Sequence, residues 1–145
     1  MEHTPLMRLE LRTSLFYEKI SSEEANLLAD LPGNEEFILC YELDSVQGHS
    51  IEPDRELLLG AFVFAGRKTE GIIGISRNVS LPQGSYLFVQ QRGDRALNET
   101  EWLDLAVEQQ KDGLWERNKL GNSLYVRFLR EDGAVVTQVF RVCCN

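Results

Sequence analysis

The chain has 145 residues, 43% of them hydrophobic and 26% charged, with a formal charge of −8. That length suits one domain of ordinary size, here residues 1–145, and the acidic balance argues against a nucleic-acid surface, which needs clustered Lys and Arg. No run of about eighteen apolar residues is present to span a membrane, and residues 1–8 show no secretory signal, so a cytoplasmic address is expected.

Residues 9–20 carry Leu9, Leu11, Leu15, Phe16 and Ile20 and read as an N-terminal strand with imperfect alternation. Ser21 followed by Glu24 forms a capping box, which opens a short helix that Pro32 and Gly33 stop. Residues 36–43 alternate as a strand, with Phe37, Leu39, Tyr41 and Leu43 opposed to Ile38 and Cys40. After a polar loop over 44–55, residues 57–65 are apolar on both faces, as in a covered central strand, and Gly60 marks a bulge or a close backbone approach. A turn follows over 66–71, and residues 72–76 read as a short strand or an extended connection.

From Val79 onward the signals sharpen. Pro82 and Gly84 lead into a strand whose Tyr86, Phe88 and Gln90 point one way and Leu87, Val89 and Gln91 the other. Residues 92–97 are a polar connection to a second helix, where Asn98 and Glu101 form another capping box and Trp102, Leu105, Ala106 and Gln109 share a stripe. Gly113 is expected to end its first run, with Leu114 and Trp115 either beginning a further turn or folding back over the core. Residues 123–129 and 134–142 then alternate around Asp132-Gly133, a hairpin of Asp-Gly type. The expected fold class is therefore α+β. Two strand–helix–strand–strand modules, about 9–65 and 79–142, form one antiparallel sheet with two helices on one side.

The stretch Leu81-Pro82-Gln83-Gly84-Ser85-Tyr86-Leu87-Phe88, the helix bearing Trp102 and the closing hairpin resemble the GyrI-like small-molecule-binding superfamily, which includes effector-binding domains of AraC- and MerR-type multidrug regulators. No helix-turn-helix segment accompanies them, so the resemblance implies a stand-alone domain. It implies an aromatic ligand cleft between the two modules, with Tyr86 matching the tyrosine that opens the strand and Tyr125 that of the penultimate strand. The acidic residue usual near the second tyrosine is absent, since Asn122, Ser123 and Leu124 stand there.

On these grounds the candidate ligand-binding residues are Tyr86, Phe88, Trp102, Trp115 and Tyr125, whose rings offer flat faces for stacking or for a cation. Glu42 and Glu101 are the candidates for a buried carboxylate, which would hold a proton or a cationic group. For each ring the competing role is core packing, strongest for Trp102; for Glu101 it is capping, and for Glu42 plain exposure.

The expected partner is a small hydrophobic or cationic molecule, sensed or sequestered in a cleft of several hundred Å3 lined by at least two of Tyr86, Trp115 and Tyr125. A different class of reading is an acidic interaction module for a basic protein, as the topoisomerase-inhibiting members suggest by resemblance. A hydrolase of reactive small molecules needs a cleft carboxylate. No cofactor, metal or catalytic residue is expected: the three cysteines, Cys40, Cys143 and Cys144, make no disulfide framework, and His3 and His49 stand in unsupported segments.

Overall fold

The computed structural model describes residues 2–3, 7–30, 36–43, 60–69, 78–115 and 119–144. Side chains are described for these except 2–3, 28–30, 114–115, 119 and 144. The elements are β1 (Glu2–His3), β2 (Met7–Leu11), β3 (Leu15–Ile20), α1 (Ser22–Asp30), β4 (Phe37–Glu42), β5 (Phe62–Arg67), β6 (Asn78–Leu81), β7 (Gly84–Gly93), α2 (Glu99–Trp115), β8 (Lys119–Glu131) and β9 (Ala134–Cys144).

The nine described strands belong to one antiparallel sheet in the order β1-β7-β9-β8-β4-β5-β3-β6, with β2 also on β7. The sheet curls into a half-barrel. The expectation of two duplicated, helix-bearing modules is thereby corrected: among the described residues strand dominates, and helices α1 and α2 are additions to a single curled sheet. The reason lies in the N-terminal segment. Instead of one strand over 9–20, alternation breaks at residues 12–14, and the two pieces take different partners. β2 pairs with β7 (Leu9 opposite Tyr86), whereas β3 pairs with β6 (Tyr17 opposite Val79) and β5 (Ile20 opposite Ala65). The start of the chain is thus stitched to its second half.

Other boundaries shift, among them that of β8, which begins at Lys119 where residue 123 was expected. The strand expected over 57–65 is β5, which runs through Gly66 and Arg67, residues read from sequence as a turn; positions 57–59 and 72–76 lie outside the described residues. β7 extends to Gly93 because Arg92 and Gly93 pair with Val136 and Val135 of β9. Helix α2 passes through Gly113 to Trp115, and a Cβ at the glycine would meet the end of the Leu87 side chain, which would have to shift. At the hairpin, Asp132 and Gly133 both have positive φ (50° and 81°), as a two-residue turn matched to strand twist requires.

Alternation divides the sheet into two faces. The outer face carries Phe37, Val89, Leu124, Val126, Phe128 and Val139, packed under Trp102, Leu105 and Ala106 of α2. Further along, Ile20 and Ala65 meet Ala25 of α1. The concave face carries a second cluster, including Tyr17, Ile38, Tyr86, Phe88, Tyr125 and Phe140.

Candidate functional site

The concave face gathers most of the aromatic residues expected to line a cleft. Tyr86 meets Tyr125 edge-on with ring centroids 6.0 Å apart, and it meets Phe140 at 5.7 Å. Phe88 lies 5.1 Å from Phe140. These rings interlock. Tyr86 is 2% exposed and Tyr125 7%, and the Tyr86 hydroxyl donates to the Pro82 carbonyl. Burial pushes the Tyr86 phenol up to about 12 and raises that of Tyr125 further, and it pushes the Cys40 thiol beside them up to about 12. Here the expected cleft is a packed core.

One end of this face is polar. Glu36, just before β4, accepts from the Tyr17 hydroxyl at 2.6 Å and from Arg127 Nη2 at 3.0 Å. Arg127 also donates Nη1 to Gln138 Oε1 at 3.1 Å, and Gln138 Nε2 donates to Gln90 Oε1 at 2.9 Å. Burial raises the Tyr17 phenol, against the nearby Arg127 charge. The chain of bonds ties β3, β4, β8, β9 and β7 together and leaves few lone pairs for a ligand. Glu36 and Arg127 are absent from the residues singled out in the sequence. The signal was available: Arg127, Gln138 and Gln90 occupy inward-facing positions on three neighbouring strands, beside Tyr125, Phe140 and Phe88.

The open site is on the other face. A cleft of about 270 Å3 lies between α1 and the start of α2, over the β4–β8 seam. Phe37, Leu39 and Tyr41, alternate residues of β4, form its floor with Phe128. Trp102 forms one wall, 5.4 Å from Tyr41 by ring centroids, while Phe37 stacks on Phe128 at 4.5 Å. Asn26 of α1, Asn98 and Glu99 supply the polar margin. Burial, and after it the Glu99 charge, raises the Tyr41 phenol. The aromatic row continues outward to Phe62, 5.6 Å from Tyr41 and 41% exposed.

Of the expected site residues, only Trp102 lines this cleft. Tyr86, Phe88 and Tyr125 are on the opposite face. Trp115 ends α2, and its side chain is outside the described residues. Neither expected carboxylate is a buried binding group. Glu42 is exposed at the end of β4. Glu101 completes its capping box, accepting from the Asn98 amide at 3.0 Å while its own amide donates to Asn98 Oδ1 at 2.9 Å. Arg95 holds the same carboxylate through two bonds of 2.6 and 2.9 Å, and this contact above all pulls its pKa down to about 2. The cleft's own carboxylate is Glu99. It stands in the first turn of α2, where an acidic residue also suits the helix start.

Among the described residues no group of three His, Cys, Asp or Glu side chains could hold a metal, and no helix is long and apolar enough to cross a membrane. No protein-family model, curated protein or solved structure matches the chain.

Proposed function

We propose that the protein is a cytoplasmic domain that senses or sequesters a small amphipathic molecule in the aromatic cleft between helices α1 and α2. The observation that carries this reading is the cleft itself: among the described residues, four aromatic rings, a polar margin and one carboxylate surround about 270 Å3 of space. Ligand sites have this character, apolar walls with a few placed polar groups, and sizes of roughly 300 Å3 upward. Phe37, Tyr41, Trp102 and Phe128 would hold a flat apolar body, and Glu99 with the two asparagines would take a hydrogen-bond-donating or cationic head. The resemblance of residues 81–88 to the GyrI-like superfamily belongs to the same proposal. A cytoplasmic setting is compatible with the buried thiols of Cys40 and Cys143.

The test is titration with 1-aminoanthracene, a neutral aromatic amine, following its emission and the quenching of tryptophan. Saturable binding is expected, and Tyr41→Ala should weaken it about fivefold, the equivalent of ~1 kcal/mol of ring contact. Absence of saturable binding by this probe and by a lipophilic cation of similar size would remove the reading.

A second reading has its own observation. Glu101, Asp104 and Glu108 follow one another along α2 beside a shallow groove of about 550 Å3 that also includes Gln91 and Leu105. A basic protein partner could dock there, with an affinity that falls steeply as salt rises.

A further inference from the structure

The two walls of the cleft are held in very different ways. Helix α2 is fixed along its length. Trp102 and Gln109 are 2% and 1% exposed, and Gln109 Nε2 donates to the carbonyls of both Leu87 and Val139 at 3.0 Å. Its first turn is closed by the reciprocal Asn98–Glu101 bonds, and the segment before it is pinned where the Leu97 amide donates to Thr137 Oγ1 at 3.1 Å.

Helix α1 has nine residues, too few to be stable without packing. Among its described side chains only Ala25 is buried, while Leu27 is 64% exposed. Ala25 meets a small cluster, Ile20 and Ala65, with Leu39 beside it. Further ties among the described side chains are a cap from Ser21 Oγ to the Glu24 amide at 3.1 Å and a Glu24–Arg67 ion pair of 3.7 Å between exposed side chains. An exposed pair of this kind contributes little.

We infer that α1 is the adjustable wall of the cleft: it swings aside to admit a ligand and settles over it, while α2 and the sheet stay in place. The inference rests on the cleft being the ligand site. Its consequence for ligand class is permissive size. With one wall movable, the space is not limited to 270 Å3, and molecules of different bulk but similar flat, amphipathic shape fit the same aromatic floor. Closure places Ala25 and Asn26 against the bound molecule and adds buried contact to a helix in which Ala25 alone is buried among the described side chains.

Hydrogen exchange on the intact protein, with and without saturating 1-aminoanthracene, tests this. Without ligand, amides of residues 26–30 should exchange at least about 100-fold faster than those of residues 105–110. Ligand should slow the first set about tenfold or more and the second less than about twofold. Ser21→Ala should speed α1 exchange about fivefold and leave α2 unchanged. Equal exchange in the two helices, equal protection of both, or an α1 indifferent to its cap would overturn the moving wall while saturable binding leaves the ligand reading standing. Absence of saturable binding sinks the ligand reading, and the wall with it.

Discussion

The two faces of the sheet use aromatic residues to opposite ends. On the concave side, rings from neighbouring strands face one another at close range, so Tyr86, Tyr125, Phe88 and Phe140 fill their own space, and the polar residues among them satisfy each other. On the outer side the rings of β4 and β8 lie beneath two helices of unequal length, nine and seventeen residues, and the gap between the helices stays open. A ring's sequence neighbourhood is much the same in both cases. What decides between core and cleft is the element that covers it.

Substitutions that damage one face and spare the other would sharpen that contrast. The largest effect is expected from Arg127→Met, which leaves Glu36 with its charge largely buried; removing one partner of such a pair costs about 3 kcal/mol. Urea unfolding should show this loss with 1-aminoanthracene affinity unchanged, and an equal loss of binding would show the faces to be coupled. Gln109→Leu comes next. It strips two buried carbonyls of their donor and should cost ~2 kcal/mol by the same measurement.

Alkaline titration separates the faces more gently. Tyr17, Tyr86 and Tyr125 on the concave side have phenols raised by burial, so they favour the folded state below the ordinary value of 10.0 and cease to do so as pH rises through their folded values. Phenolate absorbance should therefore stay low past pH 10 and rise together with unfolding. A smooth early titration of these tyrosines would mean an open concave face.

The smallest effect belongs to Glu101→Gln. The carboxylate's pKa falls from 4.5 to about 2 on folding, so its contribution is present above 4.5 and fades as pH falls toward 2. The variant should flatten the acid limb of thermal stability in that window and leave neutral behaviour nearly unchanged.

Local chemistry made several of these features legible. The Asp132-Gly133 hairpin, the Ser21 cap, the full Asn98–Glu101 capping box and the alternation that sets Tyr86 and Phe88 against Leu87 and Val89 are short-range patterns, and the structure contains them. The break at residues 12–14 was not legible, because Leu9, Leu11 and Leu15 look equally apolar whether they belong to one strand or two, and only pairing with β6 and β7 divides them. The site was missed for a related reason. Phe37 and Tyr41 read as one face of a strand, and nothing in their spacing shows that two helices pass on either side of them. Glu36 was hidden too, since its partner Arg127 stands far along the chain.

The pairing of distant segments also sets the order in which the molecule can be assembled. Phe37 finds its strand partner at Phe128, and Leu9 at Tyr86, so much of the ladder cannot close until nearly the whole chain has left the ribosome. The β8–β9 hairpin forms from adjacent residues as soon as they emerge, but they emerge last, and until then the N-terminal strands wait with apolar faces bare. Synthesis of this protein would thus carry a window of aggregation risk, longest for β2 and shortest for β9, and slow refolding from denaturant is the corresponding signature in the test tube.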